Sequence, residues 1–389
     1  MQLPPGAAAV VIGGGVIGAS VAWHLARLGM RDVLVLDRAT APGAGSTGRA
    51  TGGYRATFAT EPNIRLSLLA RETLCRFPEW SGGAAVYHPV GYLWIARSEA
   101  MLATLRGANA LQRRCGLTEA EIVRPDDVYR LNPAVAPDAE IRGALWCPTD
   151  GYVRPLEMLA GYRTAAEREG ARFAYGVEVT GLRIGAGGAV AAVRTASGDV
   201  ACSLTVNAAG PWAAQVAAWA GVALPVKPLR RQVAITEPTT ALPPHMPMTL
   251  WADDGFHVRV RDDRVLYAWP TPGDPANEWS VAVDGDWVGQ AERTAHERVP
   301  VLCGVAVDRA RCWGGLYEVS PDKRPIIGPA PGVPNLLLAN GSSGHGVMHS
   351  AAIGRLVAEL ATGASPTLDP APFAPDRFER DDAVGAELL

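Results

Sequence analysis

Gly13, Gly15 and Gly18 constrain this chain more than any other feature, because they fall where an apolar strand turns into a helix. Residues 7–13 (AAAVVIG) read as a buried strand, and helical periodicity then runs to about Leu28, with Gly29 as the expected stop. Val33–Leu36 is a second short apolar strand, so a β-α-β unit is expected almost from the first residue. In G-x-G-x-x-G, the first glycine permits a tight turn and the second lets the backbone approach a pyrophosphate. The third brings helix and strand together, and the helix start faces the anion. Asp37 follows Gly18 by 19 residues, at the end of the second strand, where its carboxylate can accept hydrogen bonds from an adenosine ribose. Glycines alone also occur in ordinary β-turn-α units. With strand, helix and acid in register, the pattern points to a dinucleotide, but it does not choose between NAD and FAD.

The downstream sequence favours FAD. A nicotinamide dehydrogenase normally continues with successive βα units. Here a long small-residue loop, Ala41–Gly53, follows, with Ser46, Thr47 and Arg49 able to bond phosphate or a flavin edge. Thr60-Glu61-Pro62 starts a helix, Tyr87–Ala96 (YHPVGYLWIA) has strand character, and Met101–Gly116 is an amphipathic helix. Gly143–Val153 reads as loop and strand, Pro155 opens a helix closed by Gly170, and 173–209 alternates strands and turns. Residues 223–315 carry short strands, prolines and tryptophans, which predicts an antiparallel sheet. A last strand, Asn335–Ala339, leads through the Gly341–Gly346 turn into a helix ending near Gly363, and the tail beyond reads as peripheral. The expected fold is therefore a discontinuous, Rossmann-like α/β FAD-binding domain of the glutathione-reductase type, with an α+β substrate domain built on an antiparallel sheet. Its expected division is 1–83, 148–222 and 314–389 for the first, and 84–147 and 223–313 for the second.

Composition removes several other classes. The formal net charge is −3 with no basic run, which disfavours nucleic acid. Six cysteines contain no C-x-x-C pair, so neither a zinc site nor a redox dithiol is expected, and no metal. There is no basic leader and no apolar run of membrane-spanning length, so the reading is a cytoplasmic protein.

Four blocks resemble the FAD-dependent amino acid and amine oxidoreductases, the superfamily of D-amino acid oxidase, glycine oxidase and sarcosine oxidase. They are VVIGGGVIGASVAWHLARLG with Asp37, GSTGRATGGYR (Gly45–Arg55), TVNAAGPWA (Thr205–Ala213), and GGLYEVSPDKRPIIGP with NGSSGHGVMHSAAIG near the C-terminus. The resemblance implies FAD contacts from Gly13, Gly15, Val16, Ile17 and Gly18, from Asp37 and Arg38, and from Gly45, Ser46, Thr47, Arg49 and Ala50. It extends them to Val177, Ala209, Gly210, Trp212, Gly314, Gly341, Gly344, His345, Gly346, Val347 and Met348. It implies hydride removal from the carbon next to nitrogen, delivered to flavin N5, with an imine as product. The substrate would be a sarcosine-like N-methyl amino acid, a proline-like acid or a D-amino acid, and the electron acceptor oxygen, a quinone or a partner protein. A hydroxy-acid or alcohol oxidase, and a subunit of a multi-component amine dehydrogenase, are the alternatives.

An amino acid substrate needs its carboxylate held, which a bidentate arginine does best. Arg55 matches a carboxylate-binding arginine of sarcosine oxidases, though a structural ion pair would explain it equally. Arg259 and His257 lie two residues apart on an expected strand and so share a face. Tyr267, with Trp269 in LYAWP, resembles a pocket-lining strand, and His345 in SGHG resembles a residue beside the flavin. His349 is expected behind it. Three departures from sarcosine oxidase stand out. Gly315 falls where a cysteine tethers the flavin, Met348 replaces a carboxylate-binding lysine, and residues 254–320 contain no lysine. Noncovalent FAD is the expectation.

Overall fold

The computed structural model describes residues 3–270 and 279–379. Its first sheet has a parallel core ordered Val333–Asn340, Gly198–Asn207, Gly6–Ile12, Val33–Asp37, Arg172–Tyr175. Ile326–Ala330 adds an antiparallel edge, and Val190–Thr195 and Val179–Ile184 pair antiparallel off the start of Gly198–Asn207. The strand Gly198–Asn207, far along the chain, thus lies beside the opening strand. The chain leaves this sheet and returns to it, as the interrupted sequence pattern predicts.

Helices pack over one face, with Val16–Arg27 at their centre beside Pro155–Arg168. Val16–Arg27 begins directly after the glycine turn, and Leu28 caps its C-terminal end before Gly29 turns at φ +91°. The C-terminal helix Gly346–Thr362 packs along it and ends at Gly363, which is left-handed at φ +70°. Their contact depends on Gly354. A Cβ there would lie 2.2 Å from Ser20 Oγ and 2.8 Å from the Ser20 backbone carbon.

The second sheet has eight strands, ordered Trp313–Val319, Lys227–Ile235, Arg264–Ala268, His257–Arg261, Met248–Trp251, Tyr92–Ala96, Gly143–Cys147, Glu121–Val123. Every neighbour is antiparallel except Met248–Trp251 with Tyr92–Ala96, which run parallel. One face buries Val258, Val260, Val265 and Tyr267 against the helix Gly285–Arg298. The expected boundary at 314 falls inside the edge strand Trp313–Val319.

Three local expectations change. Tyr87–Ala96 is not one strand: Tyr87–His88 joins a small sheet with Gly53–Tyr54 and Gly151–Val153, and Gly91 (φ +93°) turns the chain into Tyr92–Ala96. Among the apparent strands of 223–315 lies the helix Gly285–Arg298, capped by the Asp284 side chain. The tail is not peripheral as far as residue 379. Phe373 is buried, and the buried Arg377 donates to both carboxylate oxygens of Asp322 at 2.8 and 3.0 Å. The acidic end beyond lies outside the described residues. No helix among the described residues is long and apolar enough to cross a membrane.

Gly354→Val should lower stability by about 2–3 kcal/mol, since the added atoms meet backbone that cannot move aside. Urea unfolding followed by circular dichroism measures it, and an unchanged midpoint would refute this account of the helix contact.

Candidate active site

A cavity of about 970 Å³ runs along the C-terminal edge of the parallel sheet, and Gly13, Gly15, Val16 and Ile17 form its floor. Backbones meet there at distances only glycine permits. A Cβ on Gly13 would sit 2.3 Å from the Ala208 carbonyl oxygen, and one on Gly18 would sit 1.9 Å from the Gly13 carbonyl oxygen. Gly18 therefore does not line the cavity; it closes the helix onto the turn. The first helical turn has no acidic residue and no side-chain cap, which leaves its N–H groups and the positive end of its dipole for an anion. Val16 N–H donates to Thr47 Oγ1 at 3.1 Å, joining the small-residue loop to the helix start.

At one end lie Asp37, Arg38, Val177, Ala209, Gly210 and Trp212. Asp37 Oδ2 accepts from Gly14 N–H (2.7 Å) and Oδ1 from Ala39 N–H (2.8 Å). The carboxylate that was expected to read a ribose thus also braces the glycine turn. The Arg38 guanidinium lies 3.9 Å from the Trp212 ring centre.

At the other end the loop tightens into a short helix, Ser46–Arg49, which is tied to the edge strand of the second sheet. Ser46 Oγ donates to Leu316 O (2.8 Å), Arg49 Nη1 to Gly314 O (2.9 Å), and Trp313 Nε1 to Arg49 O (2.7 Å). Gly45, Ser46, Thr47, Arg49 and Ala50 line this end, and Gly344, Gly346 and Val347 complete it.

Besides Gly18, four expected cofactor contacts do not line this cavity. Gly314 faces the Val281 backbone, and its neighbour Gly315 lines the cavity instead. Gly341 packs against Ile326 and Ser320, and Met348 is buried in the helix core. His345, at the start of the C-terminal helix, turns its ring away toward Arg55. Lining residues that the motifs did not reveal include Gly43, Gln215, Tyr317, Glu318 and Ser342.

Beside the cavity lies a cluster of buried charge. Arg55 is 5% exposed, and its guanidinium lies 4.2 Å from the Phe58 ring centre and 4.8 Å from that of Trp94. Its Nη2 donates to His345 Nε2 at 3.1 Å, so that nitrogen is the acceptor and the imidazole is neutral. His349 Nε2 pairs with Ser67 Oγ at 2.8 Å, and burial, then the Arg55 charge, pushes its pKa down to about 3. Asp150, which no motif marked, is wholly buried. It accepts from Ala56 N–H (2.7 Å), Thr57 N–H (3.3 Å) and Thr57 Oγ1 (2.6 Å), and so fixes the backbone that carries Arg55. Burial raises its pKa to about 6, against the pull of those bonds and of Arg55.

His257 and Arg259 share the face opposite Val258 and Val260, as the alternation predicts. The Gly255 carbonyl accepts from His257 Nδ1 at 2.9 Å. Burial lowers the His257 pKa to about 4, aided by the charges of Arg55 and Arg259, so the imidazole is neutral near pH 7. Arg259 is 5% exposed, its guanidinium 4.6 Å from the Tyr152 ring centre. Tyr267, expected in the pocket, lies opposite Val258 in the strand pairing. It therefore points into the core under the helix Gly285–Arg298, and Trp269 packs on the same cluster. The two-residue period sends odd positions of Arg264–Ala268 away from the face of His257 and Arg259. No group of metal-ligating side chains occurs among the described residues.

The DAO family model, described as "FAD dependent oxidoreductase", matches residues 8–360. Mitochondrial dimethylglycine dehydrogenase of Rattus norvegicus is 28% identical over 390 residues, which cover 95% of this chain and 44% of that protein. The chain thus spans less than half the length of these dehydrogenases. FAD-dependent oxidoreductase domain-containing protein 1 of Bos taurus is 29% identical over 429 residues, covering 97% of this chain and 86% of that protein. Among solved structures, L-proline dehydrogenase from P. horikoshii superposes with a TM-score of 0.89 at 27% identity, covering 97% of this chain and 99% of that one. Glycine oxidase from Geobacillus kaustophilus has the same fold, with a TM-score of 0.84 at 24% identity over 96% and 99%.

The cavity fits FAD, with a glycine cradle at the helix start and walls supplied by sequence-distant segments. No cysteine or histidine lines it among the described residues, and Gly315 has no side chain to offer as a tether. Acid precipitation should therefore release all of the flavin into the supernatant, as read by its absorbance. Flavin that stays with the pellet would contradict noncovalent binding.

Proposed function

The chain belongs to the FAD dependent oxidoreductase family, and on that premise we propose that it oxidises the CH–NH group of a small amino acid or N-substituted amino acid to the imine. Bound FAD supplies the two-electron acceptor. Residues 1–83, 148–222 and 314–389 are assigned to holding that cofactor, and 84–147 and 223–313 to the substrate.

The observation that carries this reading is Arg259. Its Nε and Nη1 are buried and have no hydrogen-bond partner among the described residues. Burial lowers its pKa only to about 10, so the guanidinium stays charged near pH 7. A buried cation of this kind calls for an anion, and a substrate carboxylate supplies one in the bidentate geometry that guanidinium prefers. Arg55, the residue first expected in this role, bonds His345 and lies over the Phe58 and Trp94 rings.

Two buried cations whose charges both reach His257 have a second consequence. Their field disfavours a protonated amine, so the substrate nitrogen binds with its lone pair free. That lone pair drives the departure of hydride from the adjacent carbon, and the nitrogen then releases its proton as the imine forms. Neutral His257 adds no further positive charge. The names of relatives support the same substrate class, since dimethylglycine, sarcosine and L-proline are all amino acids that carry an N-substituted nitrogen and a carboxylate.

Arg259→Gln should raise KM for carboxylated amines by about thirtyfold or more, the size expected for a lost charge-assisted pair. Flavin content should not change. Steady-state kinetics with a dye acceptor measures this, and an unaltered KM would rule out Arg259 as the carboxylate anchor.

A further inference from the structure

Among the cavity wall residues that neither the glycine motifs nor the oxidation chemistry uses, one is a buried carboxyl. Glu318 lies on the edge strand Trp313–Val319, lines the cavity, and is 8% exposed. One carboxyl oxygen, Oε1, accepts from Ser342 N–H at 3.3 Å, and the other, Oε2, has no hydrogen-bond partner among the described residues. No ion pair among the described residues involves it. The backbone nevertheless fastens it firmly, since its own carbonyl accepts from Ser343 N–H at 2.9 Å and Val319 bridges to Ser342.

A buried carboxyl with half its capacity unmet costs stability unless something completes it. Its surroundings indicate what does. Ser342 also lines the cavity, and Gly346, at the start of the C-terminal helix, packs against both Ser342 and Ile17 of the glycine motif. A Cβ on Gly346 would lie 3.2 Å from both Ser342 Cβ and Ile17 Cδ1. The carboxyl therefore stands where the two helix starts converge on the cofactor. No cation among the described residues pulls on it, and burial pushes its pKa up to about 7, against the hydrogen bonds from Ser342 and Gly341. A group so placed is poorly suited to a phosphate and well suited to an uncharged hydroxyl or amide.

We propose that Glu318 is a cofactor-binding residue whose Oε2 hydrogen-bonds an uncharged polar group of bound FAD, completing the cradle opposite the glycine turn. The carboxyl is a poor structural element in the flavin-free protein and is satisfied only when the dinucleotide is present. This separates it from Asp150 and Asp322, whose oxygens are fully used by the protein itself.

The test compares Glu318→Leu, Glu318→Ala and Glu318→Gln with the unaltered protein. FAD is titrated into flavin-stripped protein, and thermal unfolding is followed with and without FAD. The two apolar variants should raise the dissociation constant for FAD by about tenfold or more, as expected for one lost buried hydrogen bond. Gln, which can bond through its amide, should recover affinity to within about threefold of the unaltered protein. In flavin-free protein the apolar variants should unfold at the same temperature or higher. The proposal is overturned if they bind FAD as tightly as before, or if Gln binds no better than Leu. It is also overturned if the apolar variants lose as much stability without FAD as with it, or if neither yields folded protein, since Glu318 would then be structural. No substrate enters the measurement, so its outcome is independent of the amine chemistry.

Discussion

Backbone approach at the opening glycines is the contact on which the rest of the structure depends. Gly13 lets the first strand's end lie against Ala208, and Gly18 lets the first helix lie against Gly13 itself. These approaches fix where three segments meet: the opening turn, the returning strand Gly198–Asn207 and the helix Val16–Arg27. Side chains at either glycine would separate them by more than any rotamer change could absorb. The cavity lies at this junction because a parallel sheet with helices packed on it leaves a crevice beyond the carboxyl ends of its strands.

The second sheet acts on that crevice through its edge. Trp313–Val319 is hydrogen-bonded to Lys227–Ile235 on one side, and it also receives Ser46 and Arg49 from the loop that follows the glycine turn. The same sheet carries His257 and Arg259 on one face and its own apolar core on the other. Strand alternation thus separates a charged, chemically useful surface from a greasy one within a single five-residue strand. Burying both Arg55 and Arg259 opposes stability. Aromatic faces at Phe58, Trp94 and Tyr152 soften that penalty through the ring quadrupole without neutralising the charge.

Local signals revealed what they physically encode. The glycine spacing, the Pro at helix starts and Gly29 and Gly363 as helix stops all act within a few residues, and the corresponding elements form where expected. Period-two alternation placed His257 and Arg259 on a common face. What the sequence left hidden is set by distant partners. The Tyr267 ring could not be aimed from LYAWP alone, because its direction depends on register with Val258. Asp150 carries no motif and Glu318 is only one position of a quoted block, since their roles come from backbone N–H groups at Ala56, Thr57 and Ser342. The helix Gly285–Arg298 was concealed by tryptophans and prolines that resemble strand boundaries. Arg377 gave no hint that it would be buried on Asp322, 55 residues earlier.

The central claim is that FAD held in this cavity is reduced by a carbon next to nitrogen. Anaerobic mixing of the purified protein with a panel of N-methyl amino acids, proline and matching α-hydroxy acids tests it most directly, because loss of the oxidised-flavin band near 450 nm (roughly, for bound oxidised flavin) is blind to the electron acceptor. The account predicts bleaching by at least one carboxylated amine and none by its hydroxy counterpart. Bleaching by hydroxy acids alone would contradict it.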